Sequence, residues 1–397
     1  MPYRLPPLRF TGAEILRDGE MQDRSVAIAN GLITRGPLPE IDFSGYYILP
    51  GIVDMQSHAL QNHLTAQPKG ATVGQALRAA EQEIAATGAT TAWLTQHWSW
   101  EGGARSPEFA ESLLARLDRM DSGRLLDLRM QLRAETHLID EAPRLMALIR
   151  HPKANYVVFS NRIEDAMERL RAAPQHLNAE ARAAGRTPDE HRAIIRQTFE
   201  RARDVPRTLC QLAEDFDRHG VHYGSYLDAS GEMREHYAMI GAKICECPAS
   251  RRAAGAARAM SDPVVASASD LLLRPSDARA MSTAQLLSHD LCDALVSGGY
   301  SHALIHAFWH LVDWSDMDFG KAWALISAKP AEIMRMPDRG NIAPGRRADL
   351  VFINKESRRI EATVSDGCLS FVAGDAAYRF ISANLTNHSV AIPYAAQ

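Results

Sequence analysis

The strongest constraint on what this chain can fold into is a rhythm. Between residues 51 and 339, helical stretches such as TVGQALRAAEQEIAATG and PEFAESLLARLDRMD alternate with short apolar runs: TTAWLTQ, LRMQLRAET, NYVVFSN, VHYGSYLD, AKICECP, PVVASAS and DALVSGG. Strand and helix repeated in this order predict a parallel sheet covered by helices. The number of units suits a closed (β/α)₈ TIM-type barrel better than an open sheet. In such a barrel the residues that end each strand face the active-site mouth, so those ends are where function is to be read.

The two chain ends have a different texture. LRFTGAEIL, SVAIANGLI and GYYILPGIVD are short apolar pieces between turn signals, and RADLVFINKESRRIEATVSDGCLSFVAGDAAYRF repeats the pattern, with Val351 and Ile353, then Ile360, Ala362 and Val364, alternating with polar neighbours. Residues 1–50 and 340–390 are therefore expected to pair into one small composite β-sandwich domain beside a barrel over 51–339. A length of 397 residues fits that pairing. One segment, about 162–205 (IEDAMERLRAAPQHLNAEARAAGRTPDEHRAIIRQTFERARD), is long, charged and helical without an obvious strand. It reads as an insertion whose charge makes a solvated helical face, with a lid or partner surface as the alternative.

Composition removes several classes of function. With 46% hydrophobic and 23% charged residues, the chain can bury a sizeable core. A net charge of −4 without a basic block leaves no footprint for nucleic acid or an anionic membrane surface. The five cysteines are scattered with no CxxC pair, which reads as reduced thiols. No run reaches the roughly 18 apolar residues that a membrane helix needs, and the start MPYRLPPLRFTGAEIL lacks the pattern of an export signal. The expectation is a cytoplasmic protein whose partner is a small molecule or another protein.

The run LPGIVDMQSHALQNH, where the first β segment gives way to the barrel, resembles the LPG-hydrophobic-[DE]-hydrophobic-H-x-[HD] entry of the amidohydrolase superfamily, and RGNIAPGRRADLVFIN resembles its re-entry into the β-domain. Within that superfamily the chain is most similar to the α-D-ribose 1-methylphosphonate 5-triphosphate diphosphatases of the carbon–phosphorus lyase pathway. The likeness is carried by ATGATTAWLTQ, LRAETH, GSYLDASGE, ECPASRRAA, CDALV, AWALISAKPAEIM and DRGNIAPGRRADLV. It implies the barrel with its composite β-domain, and one or two divalent cations. These would be held by a His-x-Asp or His-x-His on the first strand, a mid-barrel carboxylate and two later histidines, with an aspartate ending the last strand as general base. A cation is needed because lowering the pKa of water from about 15.7 to about 7 takes a bound metal, and holding the metal takes several deprotonated donors.

At the positions that the resemblance marks, this chain reads differently. Gln56 and His58 stand at the first-strand pair, and Glu135 at the mid-barrel carboxylate. Ser160-Asn161-Arg162 replaces a histidine segment, Ser225-Tyr226-Leu227-Asp228 replaces Ser-His-Asp-Asp, and Gly298 stands where the base is expected. The expected pocket is thus Gln56, His58, His63, Glu135, Asn161, Tyr226, Asp228 and Gly298, with no catalytic residue. His58, Glu135 and Asp228 are the residual metal candidates, fewer than a catalytic zinc needs once Asp228 is set slightly apart. A glycine-rich stretch that would cradle polyphosphate reads SASDLLLRPSDARAM, bulkier and carrying Asp270 and Asp277.

The reading is a diphosphatase homologue with metal-dependent hydrolysis lost or strongly reduced and no cofactor. It would bind a phosphorylated or phosphonate metabolite, and would work as a homo-oligomer or paired with an intact relative. The alternative is an active hydrolase with a rebuilt site holding one zinc, manganese or iron through His58, Glu135, Asp228 and His63.

Other clusters read more simply. His302, His306 and His310 share a helical stripe and are taken as a partly buried packing face beside Phe308 and Trp309, because Ala303 stands where a zincin needs glutamate. His289-Asp290 reads as a surface pair. His97, among Trp93, Trp98 and Trp100, either lines the pocket mouth or caps the barrel's apolar layer. Cys245 and Cys247 read as inert thiols sharing one strand face.

Overall fold

A computed structural model describes residues 3–66, 72–120, 123–273 and 277–389. Eight parallel strands lie side by side in chain order: β1 (Ile52–Ser57), β2 (Ala89–Trp98), β3 (Asp127–Glu135), β4 (Tyr156–Ser160), β5 (His222–Tyr226), β6 (Ile244–Glu246), β7 (Val264–Ser267) and β8 (Ala294–Val296). A parallel bridge between Ser57 and Gly298 joins the first to the last, so the sheet closes into a barrel. The strands are near-continuous apolar runs because both faces are buried. Val53, Met55, Trp93, Tyr156, Val158, Val265 and Val296 fill the interior. The opposite faces meet outer helices such as Val73–Ala86, whose Leu77, Ala80 and Ile84 lie on one stripe and whose start is fixed by a Thr72/Gln75 capping box.

The chain ends build a separate β-domain of two sheets. One has seven strands, with Tyr46–Pro50 and Leu350–Asn354 paired antiparallel at its centre, and the other has four. Phe10, Phe43, Phe352 and Phe380 pack together in its core, with Phe43 and Phe352 ring centroids 4.7 Å apart. The Pro50-Gly51 joint explains the LPG motif. Trp323 Nε1 donates to the Pro50 carbonyl (3.0 Å) and Ser327 Oγ to that of Gly51 (2.7 Å). A Cβ on Gly51 would come within 2.2 Å of Thr90 Oγ1, so only glycine lets the strands approach here. Among the described residues no helix is long and apolar enough to cross a membrane.

The returning chain is pinned to the barrel floor by Arg339, which donates to Thr91 Oγ1 (2.6 Å) and to Asp127 Oδ2 (2.8 Å). Burial pushes the Asp127 carboxyl up, but Arg129 and Arg339 more than offset this and hold it at about 2. A depressed carboxyl stabilises the fold above its unfolded pKa, and that contribution is lost as pH falls from about 4 through about 2. Asp127→Asn should therefore cost about 2–3 kcal/mol at neutral pH and flatten the acid limb of stability. Urea unfolding from pH 2.5 to 7 checks this, and an unchanged acid limb would show that the pair does not couple to folding.

Candidate functional site at the barrel mouth

The first and last strands meet at the mouth through a short hydrogen-bond seam. Asp54 Oδ1 accepts from the backbone N–H of Gln56 (3.2 Å) and of Ser297 (3.0 Å), and Asp54 Oδ2 bonds the Ser297 hydroxyl (2.6 Å). The Gly298 N–H donates to the Gln56 carbonyl (3.1 Å), and the His58 N–H to the Gly298 carbonyl (3.0 Å). Gly298 adopts φ +66°, and a Cβ there would meet Ser267 Oγ at 2.8 Å and Ser269 Oγ at 2.9 Å. The last strand end is thus shaped around glycine, where the family resemblance places an aspartate.

The carboxylates of the mouth are already engaged. Glu135 Oε2 accepts from the Arg162 backbone N–H (2.9 Å), and its Oε1 lies 3.7 Å from His137 Nδ1. Asp228, fully buried, accepts from Ser225 Oγ (2.7 Å) and from Arg234 Nη1 (3.3 Å). Arg234 is itself fully buried and lies 3.6 Å from Asp262 through Nη2. His58 Nε2 faces the Gln56 amide nitrogen at 3.3 Å, so the ring nitrogen accepts from it. Among the described residues no group of three His, Cys, Asp or Glu side chains converges so as to hold a metal ion. Asp228 is turned to an arginine, Glu135 is capped by a backbone N–H and His58 is bonded to an amide.

What does converge is positive charge. On β3, Gln131, Arg133 and Glu135 point to one side at period two. Arg133 pairs with Glu246 of β6 (3.2 Å), which also accepts from Gln131 Nε2 (2.6 Å) and from the Tyr156 hydroxyl. The Arg133 guanidinium lies 3.8 Å from the ring centroid of Tyr226, the residue at a histidine position. Burial pulls the Arg133 pKa down, but its neighbours Tyr226 and Glu246 more than restore it, so it stays charged. Burial first, then Arg133 and Arg105, depress the His58 imidazole to about 3. Burial with Arg105, Arg133 and Arg162 holds His97 well below its ordinary value. Both imidazoles are neutral at physiological pH, and several polar atoms at the mouth, among them Gln56 Oε1, His97 Nδ1 and Arg133 Nε, are buried without a hydrogen-bond partner.

The remaining expectations fall out variously. His63 is engaged by Glu83 (2.6 Å) and Asn161 Oδ1 accepts from the N–H of Glu164 (3.5 Å). His306 is exposed and bonded through Nδ1 to the Tyr300 hydroxyl (3.2 Å), with the His302 ring alongside. Of the histidine stripe along the helix Ala303–Trp314 and its N-cap, His306 faces solvent while His302 and His310 are partly buried, and Leu304, Ile305, Phe308 and Leu311 take the buried side. Cys247 lies past the end of β6 with φ +48°, so it does not share a strand face with Cys245; burial pushes both thiols up. Of the stretch that replaces the glycine-rich loop, 274–276 lie outside the described residues, and Asp277 is held by Arg279 (2.7 Å).

The helical insertion is more than a solvated face. Ile163, Ala166, Leu170, Leu177 and Ile195 bury a cluster around Trp100, and Arg186 Nη1 donates to the Trp100 carbonyl (2.8 Å). It is docked on the loop that follows β2. An open cavity of about 640 Å³ lies at the other end of the barrel, beside the starts of β5 to β8, and no mouth residue lines it.

Comparison with known proteins agrees with this architecture. Among solved structures, N-acetylglucosamine-6-phosphate deacetylase from Pasteurella multocida matches 91% of this chain and 98% of its own with a TM-score of 0.61 at 12% identity. A putative prolidase from Bifidobacterium longum matches 96% and 100% with a TM-score of 0.60 at 14% identity, and molinate hydrolase 100% and 99% with 0.58 at 17%. The chain shares the fold of these three structures. In sequence the chain is 23% identical to the α-D-ribose 1-methylphosphonate 5-triphosphate diphosphatase of Escherichia coli (strain K12) over 373 residues, 88% of this chain and 96% of that enzyme. No protein-family model matches.

Arg133, Glu246, Arg105 and Arg234 did not emerge from motif reading, although period two on β3 pairs Arg133 with Glu135. Two outcomes test the geometry. Gly298→Asp should lower stability by about 1–3 kcal/mol, since it adds a strained φ and two close contacts; Ser269→Ala in the same chain should recover part of the loss in thermal unfolding. Arg105→Gln should raise the His58 pKa, read from its imidazole NMR shifts between pH 3 and 6, and an unmoved titration would dismiss Arg105 as a source of the field.

Proposed function

We propose that this chain is a homologue of the phosphonate-pathway diphosphatase in which metal-dependent hydrolysis is lost or strongly reduced, and that the barrel mouth binds a phosphorylated or phosphonate-bearing metabolite. Its role is then regulatory, exerted as a homo-oligomer or by pairing with an intact relative. The observation that carries the reading is the lock on Asp228. That carboxylate is bonded to Ser225 and Arg234 while Tyr226 lies against Arg133, so the β5 end presents an arginine–tyrosine pair and no metal-binding face. Guanidinium groups in a water-poor pocket favour an oxyanion and oppose a divalent cation. The likeness to the diphosphatase supplies the ligand class. Fold alone would not supply it.

The rival reading, a rebuilt site with a single zinc, manganese or iron, needs His58, Glu135 and Asp228 to turn toward one another, against the hydrogen bonds that each now makes. Metal analysis of protein purified without chelators separates the two. Substoichiometric metal together with no turnover of the ribose triphosphate is the expected result. One metal per chain that disappears in Glu135→Ala, accompanied by turnover, would overturn the proposal. Calorimetric titration with methylphosphonate and with pyrophosphate should show saturable binding that weakens with added salt.

A further inference from the structure

The loop after β2 holds a carboxylate where the barrel mouth would otherwise offer an anion site. Glu101 is partly buried, its side chain 12% exposed. Arg105 Nη1 lies 2.9 Å from its Oε1 and 3.0 Å from its Oε2, Arg162 Nε lies 3.3 Å from Oε2, and Ser99 Oγ donates to Oε2 at 3.1 Å. Burial alone would raise this carboxyl, but Arg162 and Arg105 outweigh it and keep Glu101 ionised. The same two guanidinium groups contribute to the field on His97 deeper in the mouth. Two cations face one carboxylate. Asp277, the other acid in the neighbourhood of Arg162, is already taken by Arg279, and Glu135 meets Arg162 through its backbone N–H.

We propose that Arg105, Arg162 and Ser99 form a subsite for a phosphoryl or phosphonyl oxyanion, and that Glu101 is its internal occupant, displaced when ligand enters. This rests on the reading of the mouth as an anion-binding pocket and names where the anion sits. The charge balance supports it: a dianion would neutralise two guanidinium groups that a single carboxylate leaves with one excess positive charge. The donors suit it too, since guanidinium and hydroxyl groups serve a tetrahedral oxyanion as well as a carboxylate. The turn at Glu101 needs positive φ. Gly102 (φ +79°) and Gly103 (φ +55°) follow it directly. On the other side of Glu101 the insertion holds the chain, with Arg186 donating to the Trp100 carbonyl (2.8 Å), and a Cβ on Gly102 would come within 2.7 Å of Arg186 Nη2. Because Arg162 opens the insertion and Glu101 lies in the loop beneath it, expelling Glu101 breaks a contact between the two segments and couples binding to the position of the insertion.

The test is titration of the full chain with inorganic pyrophosphate and with methylphosphonate, comparing wild type with Glu101→Gln, Glu101→Asp and Arg105→Gln. Removing the internal competitor should tighten pyrophosphate binding about tenfold in Glu101→Gln, because the apparent affinity rises as the binding-competent fraction rises. Glu101→Asp, one methylene shorter, should lie between it and wild type and serves if the glutamine variant unfolds. Arg105→Gln should lose binding. If wild type binds pyrophosphate and none of the three variants changes the affinity, the subsite is overturned while the anion-binding reading of the mouth stands. If neither wild type nor the Glu101 variants bind either probe, both fall together.

Discussion

The closure of the barrel between Asp54 and Ser297 is the interaction on which everything at the mouth depends. Eight short strands buried on both faces have no stable edge, and the seam supplies the bonds that make the last strand a neighbour of the first. It buries a carboxylate to do so, and burial pushes Asp54 up to about 6 despite three hydrogen bonds. The seam also places Gln56, His58 and Gly298 side by side through backbone bonds alone. Positions that the amidohydrolase likeness marks for chemistry are therefore held in place by the backbone, with glycine required at 298.

Once the ring is closed, electrostatics decides what the mouth accepts. Arg133 is held by Glu246 and lies against Tyr226, Arg105 and Arg162 share Glu101, and the two nearby imidazoles are kept neutral. Each acid of the region has an arginine or a backbone N–H as partner. A site of this kind has its dipoles and charges arranged before any ligand arrives.

Much of the fold was legible in the sequence because it depends on periodicity: the alternation of strand and helix, the β texture of both ends, and the glycine of the LPG joint are all written in residue spacing. The substitutions at Gln56, Tyr226 and Gly298 were visible for the same reason, as departures from a pattern. Partnerships were not visible. Nothing in the spacing tells that Asp228 turns to Arg234, that Glu101 bridges Arg105 and Arg162, or that His63 goes to Glu83, since each contact is set by side-chain packing between segments. The histidine stripe shows the converse limit. Its spacing predicted one helix face but not that His306 would be turned to solvent while His302 and His310 stay partly buried.

Arg234 constrains what substitution at the β5 end can do. With no exposed surface, it sits between Asp228 and Asp262 and cannot leave without stranding two buried carboxylates. Replacing Tyr226 by histidine would therefore not return a ligand set, because the neighbouring aspartate would stay committed to the arginine, and replacing Arg234 first would weaken the fold before any benefit appeared. Each reversal is unfavourable unless the other is already present. The two positions are therefore coupled, so that a substitution at either one is felt through the other.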